Sequence, residues 1–355
     1  MKNKLLLSTA LVGGLMAGSA AIAQTSVTGN LAINYRAQSF DGANSGLSTR
    51  GFGRETQVNV QNKGKLNNGL DYAAGFSLEF DGNDRTNTTG AQSVSGTEGN
   101  SISNENVYVD FISGGTTFTI GVDHIQNITT AAVPQIFDVM DNVAAGIGGK
   151  ATNTIGANAK ESMGFGIMQV IPGTGLTASL NYVPKLNDFG TSEQTAPSAT
   201  NGNNSAYEYG IVGRDAFGVK GLGFRYFANK ADADTTVNKD LEGQHYGISY
   251  AAGQFAIGAE RHKQNRTAST GTADTQDQIS KTYSATYAVN KDLSLGVTHI
   301  DTDIGSASDE KITSVQVGYN LGAVAAVLAY SDLTDIGTTA GRDAKELQFR
   351  ITAAF

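Results

Sequence analysis

Glu260 and His262 stand two positions apart, the spacing that puts two side chains on one face of a β-strand. A carboxylate beside an imidazole is a pair from which general acid–base chemistry can be built. The simpler account of the same pair is two polar residues lining a wet interior. The other histidines, His124, His245 and His299, form no H-E-x-x-H spacing, and the chain has no G-x-S-x-G elbow and no phosphate-binding P-loop. Cysteine is absent, which removes thiolate ligands and disulfides together. Neither an enzymatic activity nor an organic cofactor is expected. What remains is a set of acidic doublets: Asp232 with Asp234, Asp301 with Asp303, and Asp309 with Glu310. Carboxylates grouped this way can hold Ca²⁺ or Mg²⁺. None of them fits the twelve-residue calcium loop with its spaced ligands and glycine, so the doublets are weak metal candidates and a solvated loop is the plainer reading.

The elements that must position these side chains are strands. At the C-terminal end, Leu347, Phe349, Ile351, Ala353 and Phe355 alternate with Gln348, Arg350 and Thr352. A strict two-residue period means one apolar and one wet face, and about nine to eleven residues is the length a tilted strand needs to cross a bilayer. The same alternation recurs along the chain. Phe76, Leu78 and Phe80 alternate with Gly75, Ser77 and Glu79; Leu222, Phe224 and Tyr226 with Gly223 and Arg225; Tyr283, Ala285, Tyr287 and Val289 with Thr282, Ser284, Thr286 and Ala288. Sixteen strands are predicted, at 26–37, 50–62, 69–81, 104–112, 116–123, 159–169, 175–184, 205–213, 220–229, 242–250, 254–264, 278–289, 292–302, 309–319, 323–332 and 343–355.

The opposite end of the chain reads as an export signal. Lys2 and Lys4 precede an apolar stretch from Leu5 to Ala17, and Ala21-Ile22-Ala23 supplies an A-x-A site before Gln24. Residues 1–23 are thus expected to be a cleaved signal peptide, and 24–355 a single barrel domain. Beyond that segment no apolar run approaches the ~20 residues of a membrane helix. Mean hydropathy is slightly negative at −0.21, as it is for a barrel in which only alternate residues meet lipid. The net charge of −8 argues against a nucleic-acid partner.

Connections add a second regularity. Tight turns are predicted at Asn62-Lys63-Gly64, Ser113-Gly114-Gly115, Pro172-Gly173, Arg214-Asp215, Ala252-Gly253, Asn290-Lys291-Asp292 and Asn320-Leu321-Gly322, while long polar connections such as 82–103, 185–204 and 265–277 fall between them. That is the asymmetry of an outer-membrane barrel, with short periplasmic turns and longer outside loops. An even number of strands lets the first pair with the last, leaving no open edge in lipid. Tyr35, Tyr182, Tyr207, Tyr226, Tyr250, Tyr287, Tyr319, Tyr330 and Phe355 sit on apolar faces near strand ends, as interfacial aromatic girdles do.

With these features the chain resembles the Gram-negative general porins, in particular the sixteen-stranded alphaproteobacterial type, and the resemblance spans the whole of 24–355. It implies an all-β transmembrane antiparallel barrel in the outer membrane, filled with water, through which ions and small hydrophilic solutes diffuse passively. It also implies a homotrimer embedded in outer-membrane lipid and lipopolysaccharide; any divalent ions held by the acidic doublets would bridge to the latter. The terminal motif ending in Phe355 is similar to the signal read by the outer-membrane assembly machinery.

One connection stands apart. Residues 124–158 hold Ala131 to Gly146, more apolar than any other loop, and a surface loop carries such residues only where something covers them. In the resembled family the third outside loop folds into the lumen and narrows it; a short helix over Val133 to Val143 is expected there, with Asp138 and Asp141 as its acidic lining, the alternative being a loop packed at a subunit contact. Strand parity gives Arg36, Arg225, Arg350, Glu79, Asp110 and Glu260 inward faces, so that the last three are candidates to line the lumen; that the arginines oppose the loop acids and complete the constriction is what the resemblance implies. Two other readings stay open: a substrate-specific channel with a saturable solute site, and a surface β-protein with no pore.

Overall fold

The structure is a computed structural model, and it describes residues 24–81, 103–122, 134–136, 163–184, 205–231, 241–266, 276–305, 309–336 and 339–355. The segment 1–23 read as a signal peptide lies outside these residues. Sixteen strands follow one another: β1 (Gln24–Phe40), β2 (Thr49–Lys65), β3 (Asp71–Asp81), β4 (Ser103–Ser113), β5 (Thr116–Val122), β6 (Gly164–Ile171), β7 (Leu176–Val183), β8 (Ala206–Arg214), β9 (Leu222–Ala231), β10 (Leu241–Ala252), β11 (Phe255–Arg266), β12 (Gln276–Ala288), β13 (Leu293–Ile304), β14 (Glu310–Asn320), β15 (Val324–Thr334) and β16 (Ala344–Ala354). Each pairs antiparallel with its sequence neighbours, and β1 pairs with β16 to close the barrel.

Every strand expected from alternation is present. The differences are at the ends: β1 and β2 run longer than expected, and β6 begins at Gly164 rather than near 159. The turn expected at Asn62-Lys63-Gly64 is displaced. Those residues continue β2, and the chain reverses at 66–70, where the amide of Leu66 bonds the carbonyl of Leu70. Asn67-Asn68-Gly69 was the stronger turn signal, since Gly69 takes the left-handed backbone (φ 84°) that the reversal demands. All the tight turns fall on one rim. The other rim carries the long connections, although 305–309 there is as short as a turn.

The sheet has the reverse of a soluble protein's polarity. Outward positions hold Ile33, Phe76, Val109, Phe165, Leu180, Ile248, Ile257, Val297, Val315, Leu328 and Phe349, all substantially exposed. A continuous apolar belt this large is not left in water at a cost of about 25 cal/mol per Å²; it belongs in lipid. Inward positions on the same strands hold Ser77, Asn181, His245, Thr282, Thr298, Ser314, Gln316 and Gln348. Only one apolar core cluster forms among the described residues. It lies inside the barrel towards the long-connection rim and joins Phe40, Ile300, Ile312, Ala329, Leu333, Ile336 and Ala344.

Ring closure is completed by the last residue. The Phe355 amide donates to the Gly29 carbonyl at 3.0 Å, and the Gly29 amide returns a bond to Phe355 at 2.8 Å. The Phe355 ring then lies over Gly29, where a Cβ would strike both that ring and the Gln57 carbonyl.

Candidate channel lining and constriction

The two-residue period, combined with the register, fixes which charges face inward. On β1 the even positions point in, so Arg36 does; on β16 they include Glu346, Gln348 and Arg350; on β2 the odd positions, including Glu55, do. Arg36 stands in register with Gln348 and Arg350 with Asn34, so the two arginines are diagonal neighbours across the closure. Each has an acid. Arg36 Nε lies 3.5 Å from Glu346 Oε1, with Glu346 buried; Arg350 Nη2 lies 3.8 Å from Glu55 Oε2, with both side chains partly open to solvent. The Gln348 amide donates to Glu346.

Arg225 does not join this group. It sits on β9, eight strands from β1 in either direction round the ring, and thus on the facing wall. The surroundings there differ. Arg225 is 2 % exposed, with Glu208 and Glu260 within electrostatic reach. Glu208 accepts a 3.3 Å bond from Asn181 Nδ2. Glu260 lies between two histidines: His245 Nε2 is 3.3 Å from Glu260 Oε2, and His262 Nε2 is 3.4 Å from Glu260 Oε1. The imidazoles stack with centroids 3.7 Å apart, and Phe227 meets His245 edge-on at 4.6 Å.

Glu79 and Asp110 take inward parity on the β3–β4 wall. Asp110 accepts a 2.6 Å bond from the Thr119 hydroxyl. Asp138, Asp141, Asp232 and Asp234 lie outside the described residues, as does the expected helix over 133–143 apart from residues 134–136. Asp301 and Asp303 occupy outward positions on β13, and Asp301 is in register with Lys281 on one side and Lys311 on the other. Glu310, expected on an exposed loop, opens β14 and is buried on the inward face.

Three residues of the 124–158 connection are described, and they lie against the inner wall. The Ile136 amide donates to Gln316 Oε1 at 3.1 Å, and the Ser284 hydroxyl donates to the Pro134 carbonyl. Ile136 packs over two residues that lack side chains. A Cβ at Gly296 would come within 3.1 Å of Ile136 Cδ1, and one at Gly318 within 2.6 Å of its Cγ2. Gly296 and Gly318 therefore make a seat for the loop on β13 and β14.

Sequence reasoning missed the His245–Glu260–His262 arrangement, Glu208 and the acids Glu55 and Glu346. A signal for the first was present. With only Gly253 and Gln254 connecting β10 to β11, Ala252 opposes Phe255, and counting back places His245 opposite His262. The tyrosines bear on the saturable-site alternative. Of thirteen, Tyr108 alone takes inward parity, bonded to Gln61, so among the described residues no tyrosine ladder lines the lumen.

The family described as Gram-negative porin matches residues 8–338. Among solved structures, the chain is similar to the anion-selective porin from Comamonas acidovorans, at 15% identity and a TM-score of 0.67, covering 94% of this chain and 100% of that one. It is also similar to mutants of the Rhodopseudomonas blastica porin, at 14% identity and a TM-score of 0.56 with the same coverage. At these identities the likeness is one of fold. No curated protein matches the chain.

Proposed function

This chain belongs to the Gram-negative porin family, and on that premise we propose that the 124–158 connection and two opposed charged walls decide which solutes pass. The protein is an outer-membrane channel for passive diffusion, and its fold and family are those of a channel rather than an enzyme. The observation that carries this is the closed sixteen-stranded ring with lipid-compatible residues outside and hydroxyls, amides and charges inside. A barrel of that strand number encloses an aqueous lumen rather than a packed core, and solutes are then sorted by width and by the charges at the narrowest point.

The seat of Pro134–Ile136 on β12, β13 and β14 supports an inward course for that connection, which would bring Asp138 and Asp141 into the narrow zone with Arg36 and Arg350 on one wall and Arg225 on the other. The double change Asp138→Asn with Asp141→Asn then shifts the reversal potential in a salt gradient toward anions. The same change at Asp232 and Asp234 has far less effect, because salt screens charges beyond roughly 8–10 Å. No shift from the first pair would place selectivity on the wall residues alone, and equal shifts from both pairs would deny Asp138 and Asp141 a special place in the narrow zone.

Assembly is the second part of the reading. The outward residues of β1 to β5, among them Val27, Leu31, Ile33, Val58, Phe76, Val107 and Val109, present an apolar face suited to a homotrimer contact. The number three is what the resemblance read from the sequence implies; these side chains supply only the surface. Electrophoresis without boiling should show a heat-sensitive oligomer, and a monomer in mild detergent would overturn it. Removal of 1–23 on export, recognition of Phe355 by the assembly machinery, and divalent bridging from acidic loops to lipopolysaccharide belong to the same proposal. Deleting Phe355 should lower the amount of protein in the outer membrane.

A further inference from the structure

We propose that His245, Glu260 and His262 form a transition-metal site on the lumen wall, selective for Zn²⁺-like ions over Ca²⁺ and Mg²⁺. The three side chains come from adjacent strands in one register, with His245 opposite His262 and Glu260 opposite Gly247. Their ligating atoms all lie within 4.8 Å of one another. Two features point to a ligand rather than to a hydrogen-bonded structural triad.

The first is distance. The two nitrogen–oxygen separations are 3.3 and 3.4 Å, long for charge-assisted hydrogen bonds, which close to about 2.7–2.9 Å. They run to the two different oxygens of Glu260, and each is close to the about 3.3–3.4 Å that separates neighbouring ligand atoms around zinc, where bonds of about 2.0–2.1 Å meet at tetrahedral angles. The second is satisfaction. His262 is 1 % exposed, yet its Nε2, the nitrogen turned to Glu260 at 3.4 Å, has no hydrogen-bond partner. Buried polar atoms without partners are rare and call for a reason. Two imidazolium rings stacked at 3.7 Å would repel strongly, so the geometry suits neutral imidazoles, which are the metal-binding form.

The donor set fixes the chemical class. Two imidazoles and one carboxylate favour Zn²⁺, Ni²⁺, Co²⁺ or Cu²⁺ over the oxygen-seeking Ca²⁺ and Mg²⁺. Three protein ligands leave a fourth position for water or for an anion from the lumen. Phe227, packed edge-on against His245, holds one ring in place. A bound divalent ion outweighs the single charge of Glu260 and turns this part of the wall net positive beside Arg225, so the metal acts as a selectivity switch.

The test uses the full-length folded protein in detergent, titrated calorimetrically with Zn²⁺. One saturable site per chain is expected, unaffected by millimolar Ca²⁺ or Mg²⁺. The double change His245→Ala with His262→Ala should weaken it at least tenfold, whereas His299→Gln, on the outer face, should not. Co²⁺ loaded into the unaltered protein should give the intense visible bands of a four-coordinate ion, an arm that needs no variant to fold. In bilayers, Zn²⁺ should move the reversal potential toward anions, and the double variant should not respond. Absence of a saturable site, Ca²⁺ competing on equal terms, an octahedral Co²⁺ spectrum, or binding retained without both histidines would each overturn the inference. The binding and spectroscopic arms hold whatever the channel conducts.

Discussion

The two facing walls of the barrel use charge in opposite ways. Along the β16–β1–β2 wall, Arg350 and Glu55 are 26 and 44 % exposed and stand 3.8 Å apart. Along the β8–β11 wall, Arg225, Glu208, Glu260 and both histidines are almost fully buried. An exposed pair is worth about 0.2–1 kcal/mol and weakens with salt, which leaves its charges available to passing ions. A desolvated cluster is held by its own members, and losing one strands the rest. If both walls sort solutes as proposed, the Arg350–Glu55 pair does so directly, whereas the β8–β11 cluster is held chiefly by its own members or by a tightly bound ligand.

The strongest way to break this contrast is to remove Glu260. Glu260→Ala takes the buried carboxylate from two imidazoles and leaves Arg225 with Glu208 alone, and should cost about 3–5 kcal/mol. Glu55→Ala on the other wall should stay below about 1 kcal/mol. Denaturant unfolding of the two variants, followed by the folded band on unboiled gels, measures the difference, and equal losses would erase the distinction.

A smaller effect is expected where the 124–158 connection rests between the walls. Gly318→Val places carbon where Ile136 now sits and should cost about 1–3 kcal/mol as overpacking. It should also free Pro134–Ile136 from β13 and β14, which single-channel recording would show as a changed conductance. An unaltered conductance would mean that the seat has no bearing on the pore.

The smallest structural effect belongs to the seam. Arg350→Gln should leave the unfolding midpoint nearly unmoved while shifting selectivity toward cations in dilute salt. In ~1 M salt, where the screening length falls to about 3 Å, most of that shift should vanish. A shift that survived high salt would show that Arg350 acts at contact range instead.

The barrel was legible in the sequence because alternation is a local signal. Phe76, Leu78 and their polar partners announce β3 within a few residues, and the strands repeat that message around the ring. The site was less legible because it depends on counting between strands. Arg36, Arg225 and Arg350 share inward parity, yet parity does not say that β9 faces β1 across the lumen. His245 looked solitary until the two-residue turn at Gly253–Gln254 was followed back to His262. Turn placement failed at Asn62-Lys63-Gly64 for a related reason: Gly64 fits an extended strand as well as a turn, and only Gly69 takes a left-handed backbone. The exposure of Glu55 and the burial of Glu346 have no sequence signal, since both follow an even-handed alternation and differ only in what surrounds them.

The closure of β1 on β16 also governs how this fold can be reached. Asn30 to Phe40 pair with Ala354 to Ala344, partners separated by nearly the whole chain. Contacts of such high order are slow to form, because the loop entropy is lost before any ladder energy returns. Until they form, β1 and β16 both carry open hydrogen-bonding edges that lipid does not tolerate. Insertion and closure should thus be kinetically coupled, with the β1–β16 ladder among the last to assemble and among the first whose loss unravels the ring.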